Sequence, residues 1–134
     1  MKKIALYPLA LLYGVVIWLR NKLFDWGVLT SLPIPGKSIC IGNIAVGGTG
    51  KSPHVAYLIE LLSERFAIQV LSRGYGRKTK GYLEISTHSS AGQVGDEPLM
   101  LFEKYHTKAH FAVCENRRFG VQHLQEEAAH QRAR

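Results

Sequence analysis

The sequence has few cysteines and few acidic residues. Its 134 residues include two cysteines, Cys40 and Cys114, and no C-x-x-C pair. Both fall in predicted buried strands, so we expect two core residues of a protein in a reducing compartment. The 10 acidic residues are outnumbered by 17 lysines and arginines, which gives a formal charge of +7. This excess favours an anionic partner, either a phosphate compound, a nucleic acid or an acidic lipid surface.

A nucleic-acid partner is the least favoured of the three. The sequence contains no long basic block and no aromatic-rich platform on which bases stack. Internal repeats and low-complexity tracts are also absent. We therefore predict no nucleic-acid partner, and nothing in the sequence indicates an obligate protein partner.

An apolar segment without charges covers residues 4–19. A bilayer span takes about 20 such residues, and Pro8 and Gly14 interrupt this segment. No small-residue cleavage site of a secretory signal follows Leu19. The tyrosine and tryptophan rings of this region favour a membrane interface, and basic residues flank the apolar segment on both sides. Together they predict a helix over residues 1–30 that lies in a membrane surface or enters it shallowly. The alternative is a core helix that packs on protein. Residues 31–37, which include two prolines, are predicted to be a linker to a second domain over 38–134.

The most informative motif is a phosphate-binding loop of the form [AG]-x4-G-K-[ST]. Its glycines allow backbone N–H groups to approach phosphate oxygens without a Cβ in the way. Lys51 is predicted to neutralise the β- and γ-phosphates of ATP, and the Ser52 hydroxyl to hold Mg²⁺. A glycine-rich turn without a ligand is the alternative. The predicted nucleotide-binding residues are Ala45, Val46, Gly47, Gly48, Thr49, Gly50, Lys51 and Ser52.

The surrounding pattern is that of an α/β protein. Short apolar runs alternate with segments of helical spacing, which predicts a three-layer parallel sheet of the phosphate-loop NTPase type, incomplete within this chain. Residues 82–87 alternate apolar and polar side chains, as an exposed edge strand does. Buried strands are predicted over 38–41, 67–71 and 110–114, and helices over 53–65, 98–105 and 117–129.

Other candidate residues lie at the predicted carboxyl edge of the sheet, where α/β proteins bind ligands. A basic glycine-rich loop over residues 73–81 includes Arg73 and Arg77, and Arg117 begins a later helix. These three arginines are candidates for binding substrate phosphate, although a solvated loop is an equal alternative. Asp96 precedes a helix that starts near Pro98, so it is either an N-cap or a general base that deprotonates an attacking hydroxyl.

Three ordered blocks of this sequence resemble the tetraacyldisaccharide 4'-kinase family, the lipid A kinases of Gram-negative bacteria. The resemblance extends from the apolar N-terminal segment to about Leu124. Its blocks are Ile41-Gly42-Asn43 leading into Val46 to Pro53, Ser72-Arg73-Gly74-Tyr75-Gly76-Arg77, and Val94-Gly95-Asp96-Glu97-Pro98.

The resemblance implies transfer of the γ-phosphate of ATP to the 4'-hydroxyl of a tetraacyldisaccharide 1-phosphate. It implies Asp96 as the catalytic base, with Lys51 positioning ATP and Glu97 beside Asp96 as a candidate substrate-binding residue. It also implies location at the cytoplasmic face of the bacterial inner membrane. Ala45 stands where relatives often carry Thr or Ser, and the family's later Asp-Asp block is missing.

Two other functions remain open. One is a phosphate-loop ATPase or GTPase that assists the maturation of another protein, and the other is a nucleotide-binding module without turnover. Because no apolar run ending in Asp follows residue 114, we expect an N-terminal part of a longer enzyme that is inactive alone.

Overall fold

The structure is a computed structural model that describes residues 7–31, 33–34, 36–42 and 50–132. The chain forms two compact units, residues 1–35 and residues 36–134.

The described part of the first unit contains one helix, α1, which covers Tyr7–Asp25. None of its residues is buried. Its apolar side chains are exposed around the whole helix, as Leu12 at 62% and Trp18 at 59% exposure illustrate. The helix ends where the Trp26 N–H donates to Lys22 O at 2.9 Å and Gly27 takes a positive φ of 73°. Within the described residues, no helix is long and apolar enough to span a bilayer.

The second unit is an α/β assembly. Its helices are α2 (Lys51–Leu62), α3 (Ala91–Val94), α4 (Asp96–Tyr105) and α5 (Arg117–Arg132), and its strands are β1 (Ile68–Ser72), β2 (Leu83–Glu84) and β3 (Ala109–Val113).

The three strands form one sheet in the order β1-β3-β2. β1 and β3 are parallel, with Ile68 opposite Ala109 and Ser72 opposite Val113. β2 is antiparallel to β3 at the sheet edge, so the parallel core carries the edge strand that the alternation over residues 82–87 predicts, and the sheet is mixed. The chain passes from β1 to β2 without a helix, and parallel strands that follow each other in sequence usually need a helical crossover.

Helices cover both faces of this sheet and give three layers. On one face, Phe111 and Val113 of β3 pack with Ile59 of α2 and Leu101 of α4 in a continuous buried cluster. On the other face, Gly120 of α5 lies directly against Leu71 and Cys114. The alternation of β3 side chains between the two faces explains why nearly all of this strand is buried.

The predicted strand over residues 38–41 is not formed in the described part of the chain. Ile39 is 64% exposed and Cys40 is exposed, although Cys114 is buried as predicted. An apolar run becomes a strand only when a neighbouring strand supplies hydrogen bonds, and local sequence does not encode that partner.

Candidate active site

The predicted phosphate loop is only partly described. Residues 45–49 lie outside the described residues, so their predicted contacts cannot be placed. Gly50 has a left-handed φ of 76°, and the next two residues, Lys51 and Ser52, already form the first turn of α2. The helix therefore begins two residues earlier than predicted. Its N-terminus carries the partial positive charge that favours a phosphate group.

His54 fixes the junction between this loop and α2. Its Nδ1 lies 2.6 Å from Gly50 O, and its backbone N–H donates to the same oxygen at 3.3 Å. Because a carbonyl oxygen only accepts, Nδ1 is the protonated ring nitrogen. The sequence analysis missed His54, although its place four residues after the last loop glycine was a usable signal.

Ser52 contacts Glu97, which lies 45 positions further along the chain. The Ser52 hydroxyl donates to Glu97 Oε1 in a short hydrogen bond. Glu97 and Asp96 are the acidic residues in the first turn of α4. The contact therefore joins the end of the phosphate loop to the acidic pair Asp96 and Glu97 at the start of α4.

Asp96 is not the N-cap of α4. The N-cap is Gly95, at φ 95° and ψ 152°, and Asp96 is the first helical residue with an exposed side chain. The N-cap interpretation is wrong because the preceding glycine takes the non-helical backbone conformation that a cap requires. No hydrogen bond or ion pair engages the Asp96 carboxylate within the described residues, and its role as a base stays a prediction.

The basic loop over residues 73–81 lies beside this acidic pair. A Cβ built on Gly95 would lie 2.9 Å from Tyr75 O and 3.4 Å from Gly74 Cα. Arg73 is exposed, whereas the Arg77 side chain is 4% exposed. The guanidinium of Arg77 donates to Gly81 O at 2.6 Å and pairs with Glu115. Substrate binding by these arginines stays a prediction, and Arg77 already has partners within the protein.

Glu115 is a second residue that the sequence analysis missed. It lies two residues after Val113, the last residue of β3, and accepts the Gly81 N–H at 2.9 Å. The Gly81 N–H, and after it the Arg77 guanidinium, hold the pKa of Glu115 below its ordinary value. An acidic residue immediately after a buried strand was the available signal.

Arg117 begins α5 and is exposed. The structure gives no contact between Arg117 and the other candidate residues within the described ranges. Among those residues there is also no group of three or more His, Cys, Asp or Glu side chains that could hold a metal ion. The arrangement at hand is a hydroxyl, a carboxylate pair and a lysine beside a helix N-terminus.

Comparison with known proteins identifies the family of this chain. The model of the family described as tetraacyldisaccharide-1-P 4'-kinase matches residues 2–132. A tetraacyldisaccharide 4'-kinase of Bacteroides fragilis is 51% identical over 119 residues, which cover 89% of this chain and 31% of that protein. The corresponding protein of Porphyromonas gingivalis is 53% identical over 100 residues, covering 75% of this chain and 28% of its own length.

A solved structure has the same fold. It is the crystal structure of LpxK from Aquifex aeolicus in complex with ATP, which superposes with a TM-score of 0.80 at 35% identity. The match covers 94% of this chain and 41% of that one. The chain thus spans about a third of the length of the curated relatives that it matches. The second unit has the phosphate-loop kinase fold, and the chain belongs to the tetraacyldisaccharide 4'-kinase family.

Proposed function

We propose that this chain supplies the nucleotide-binding part of an ATP-dependent kinase. The acceptor of the phosphoryl group is the 4'-hydroxyl of a tetraacyldisaccharide 1-phosphate, a lipid A precursor. The description of the family, tetraacyldisaccharide-1-P 4'-kinase, supports this substrate. The observation that carries the proposal is the hydrogen bond from Ser52 to Glu97. That bond joins the Lys-Ser end of a phosphate loop to an acidic pair, and phosphoryl transfer needs both parts at one site.

The described residues fit ATP and Mg²⁺. Lys51 is a cation at the N-terminus of α2, where phosphate oxygens are favoured. Ser52 and Glu97 offer hydroxyl and carboxylate oxygens, the ligand type that Mg²⁺ prefers. When bound, ATP supplies the phosphoryl group and Mg²⁺ neutralises part of its charge.

Three side chains have separate tasks in this proposal. Lys51 neutralises phosphate charge. The Ser52 hydroxyl donates a hydrogen bond to Glu97. This leaves the lone pairs of the Ser52 oxygen available to a cation. Asp96, exposed in the first turn of α4, accepts the proton of the acceptor hydroxyl.

The direct test is transfer of labelled γ-phosphate from ATP to tetraacyldisaccharide 1-phosphate in mixed micelles. The chain is compared with a version extended to the length of its relatives, and each is accompanied by Lys51→Ala and Asp96→Asn variants. We expect product from the extended version alone, and no product from either of its variants. Absence of product from every version would reject the kinase.

The same assay separates the two alternatives. Release of inorganic phosphate without transfer would indicate the ATPase or GTPase that assists maturation. ATP binding that Lys51→Ala abolishes, with neither transfer nor hydrolysis by the extended version, would indicate a binding module. The kinase is favoured because an acidic residue at the start of α4 is available as a base for an acceptor hydroxyl.

We also propose that α1 associates with the cytoplasmic face of the bacterial inner membrane, lying in its surface or entering it shallowly. The helix has apolar side chains exposed along its length, including Leu12, Tyr13 and Trp18. Arg20 and Lys22 follow them near the C-terminal end. Apolar side chains insert between acyl chains, and the two cations attract anionic headgroups.

Vesicle sedimentation tests this association. The chain is mixed with phosphatidylcholine vesicles or with vesicles that also contain phosphatidylglycerol. We expect stronger binding to the anionic vesicles, and about tenfold weaker binding for Leu12→Glu. Met100→Glu, which changes an exposed apolar residue of α4, is the matched control and should bind as the unaltered chain does. Equal binding by the two variants would contradict the role of α1, and no binding at all would favour a helix that packs on protein.

A further inference from the structure

Glu115 and Arg77 close the basic loop over residues 73–81 at its base. The Glu115 carboxylate accepts the Gly81 N–H at 2.9 Å through Oε1 and at 3.1 Å through Oε2. It also pairs with the Arg77 guanidinium, which in turn donates to Gly81 O at 2.6 Å. The two ends of the segment 77–81 are therefore tied to one carboxylate that follows β3.

Burial of the Arg77 side chain makes this ion pair sensitive to substitution, although Glu115 is 45% exposed. The Arg77 side chain is 4% exposed, and its Nη1 has no hydrogen-bond partner within the described residues. A buried guanidinium that loses its carboxylate partner retains the cost of desolvation without the attraction that offsets it. Loss of Glu115 is thus expected to release the loop rather than leave it in place.

Gly74 links the position of Arg77 to the backbone just before Asp96 and Glu97. A Cβ on Gly74 would lie 2.6 Å from Arg77 Cδ on one side and 2.8 Å from Val94 O on the other. Gly74 is therefore enclosed between the stem of Arg77 and the backbone that enters α4. Asp96 follows two residues after Val94, so displacement of this enclosure moves the start of α4.

Two further bonds hold the loop against α3. The Lys78 N–H donates to Gly92 O at 2.8 Å. The Thr79 hydroxyl donates to Gln93 O. These bonds connect the middle of the loop to α3, which ends at Val94, one residue before the N-cap Gly95 of α4.

We infer that Arg77 and Glu115 are a positioning pair that fixes the basic loop and, through Gly74 and Val94, the start of α4. Neither residue contacts the acceptor in this role. In this role the loop over residues 73–81 fixes the position of Asp96 and Glu97. On the phosphate-loop side, Glu97 accepts a hydrogen bond from Ser52. The predicted effect of the pair on phosphate transfer rests on the proposed kinase function. Its predicted effect on the stability of the loop and of the start of α4 does not.

Hydrogen exchange of the chain tests the structural part. In Glu115→Gln, we expect the amides of Gly81, Lys78 and Gly95 to exchange about tenfold faster or more, because the bonds that protect them open together. The amide of His106, at the far end of α4, is expected to keep its rate. Glu64→Gln, an exposed glutamate outside the loop, is the matched control and should change none of these amides.

A second pair of variants covers the case in which Glu115→Gln does not fold, which loss of protection at His106 would reveal. Arg77→Lys retains a cation that can pair with Glu115, whereas Arg77→Gln does not. We expect Arg77→Lys to accelerate exchange at Gly95 less than Arg77→Gln does. Faster exchange confined to Gly81, with Gly95 unchanged, would overturn the inference.

Kinetics of the extended version test the catalytic part. We expect Glu115→Gln to lower kcat about tenfold because the base Asp96 is displaced. KM for ATP in Mg²⁺ is expected to rise as well, since Glu97 moves with Asp96 and its contact with Ser52 is weakened. Arg77→Lys should retain more of kcat than Arg77→Gln does. An equal rise in KM with unchanged kcat would overturn the positioning role. If no version transfers phosphate but exchange at Gly95 responds as expected, the kinase fails and the positioning pair stands.

Discussion

Gly95 and Tyr75 meet backbone to backbone, and a Cβ built on Gly95 would lie 2.9 Å from Tyr75 O. Gly95 also has a φ of 95°, a conformation that other residues rarely adopt. The blocks Ser72 to Arg77 and Val94 to Pro98, separated in the sequence, are thus in direct contact. Their glycines have a shared structural purpose, which is to let the basic loop reach the start of α4.

Gly95→Ala is predicted to destabilise the chain. Backbone strain at this φ and the clash with Tyr75 O together should lower the free energy of unfolding by at least about 2 kcal/mol. Urea denaturation measures this change. The matched control is Gly92→Ala, since a Cβ on Gly92 meets no atom within 4 Å and its φ is not positive. That substitution should leave stability unchanged or raise it slightly, and equal losses for both variants would refute the contact.

Glu97→Gln is predicted to weaken ATP binding in the presence of Mg²⁺. The carboxylate accepts a hydrogen bond from the Ser52 hydroxyl, and the loss of such a partner typically costs about tenfold or more in metal affinity. Isothermal titration with ATP, in Mg²⁺ and then in EDTA, measures the effect, which should disappear without the metal. Glu103→Gln changes an exposed glutamate of the same helix and should bind ATP normally. A loss of equal size in EDTA would show that Glu97 acts independently of the metal.

Strands of this fold are predicted well from sequence only where a distant segment supplies a pairing strand. The runs over 67–71 and 110–114 form strands within one residue of the predicted bounds, because each is mostly apolar and pairs with the other. The run over 38–41 carries a similar signal, yet Ile39 is 64% exposed. Strand formation depends on pairing between distant segments, and composition within five residues does not specify it.

The site shows the same division between local and distant information. The Gly-Lys-Ser junction with a helix was predicted from local chemistry, and the structure begins α2 at Lys51. The contact of Ser52 with Glu97 spans 45 positions, and no spacing rule encodes it. The charge of Arg77 is visible in the sequence and makes it a candidate for binding substrate phosphate, with a solvated loop as an equal alternative. Its burial against Glu115 is a tertiary property that the sequence does not show.

The pH dependence of stability provides a prediction for Glu115. The pKa of this carboxyl lies below its ordinary value of 4.5, chiefly because the Gly81 N–H donates to it and then because Arg77 is adjacent. The unfolded chain therefore binds the proton more tightly than the folded chain does. The stabilisation is complete above the ordinary pKa and is lost as the pH falls through the folded pKa.

Glu115→Gln removes this contribution at every pH. The difference in unfolding free energy between the unaltered chain and this variant should be constant at neutral and mildly acidic pH. It should narrow as the pH falls below 4.5, the ordinary pKa of the group. Urea denaturation over a pH series measures both chains. A difference that does not change with pH would show that the charge on Glu115 contributes nothing to stability.

Gly120 provides a test of how α5 packs on the sheet. A Cβ at this position would lie 2.8 Å from Leu71 Cδ2 and 2.9 Å from Cys114 Cβ. Gly120→Ala should therefore lower the free energy of unfolding by about 1–3 kcal/mol through overpacking, even though alanine favours a helix. In the double variant with Leu71→Ala, the added methyl enters the space that the leucine vacates, so the combined loss should be smaller than the sum of the single losses by about 0.5 kcal/mol or more. Additive losses would mean that α5 does not contact Leu71 through this glycine, and the covering of that face of the sheet would then have to arise from other residues of the helix.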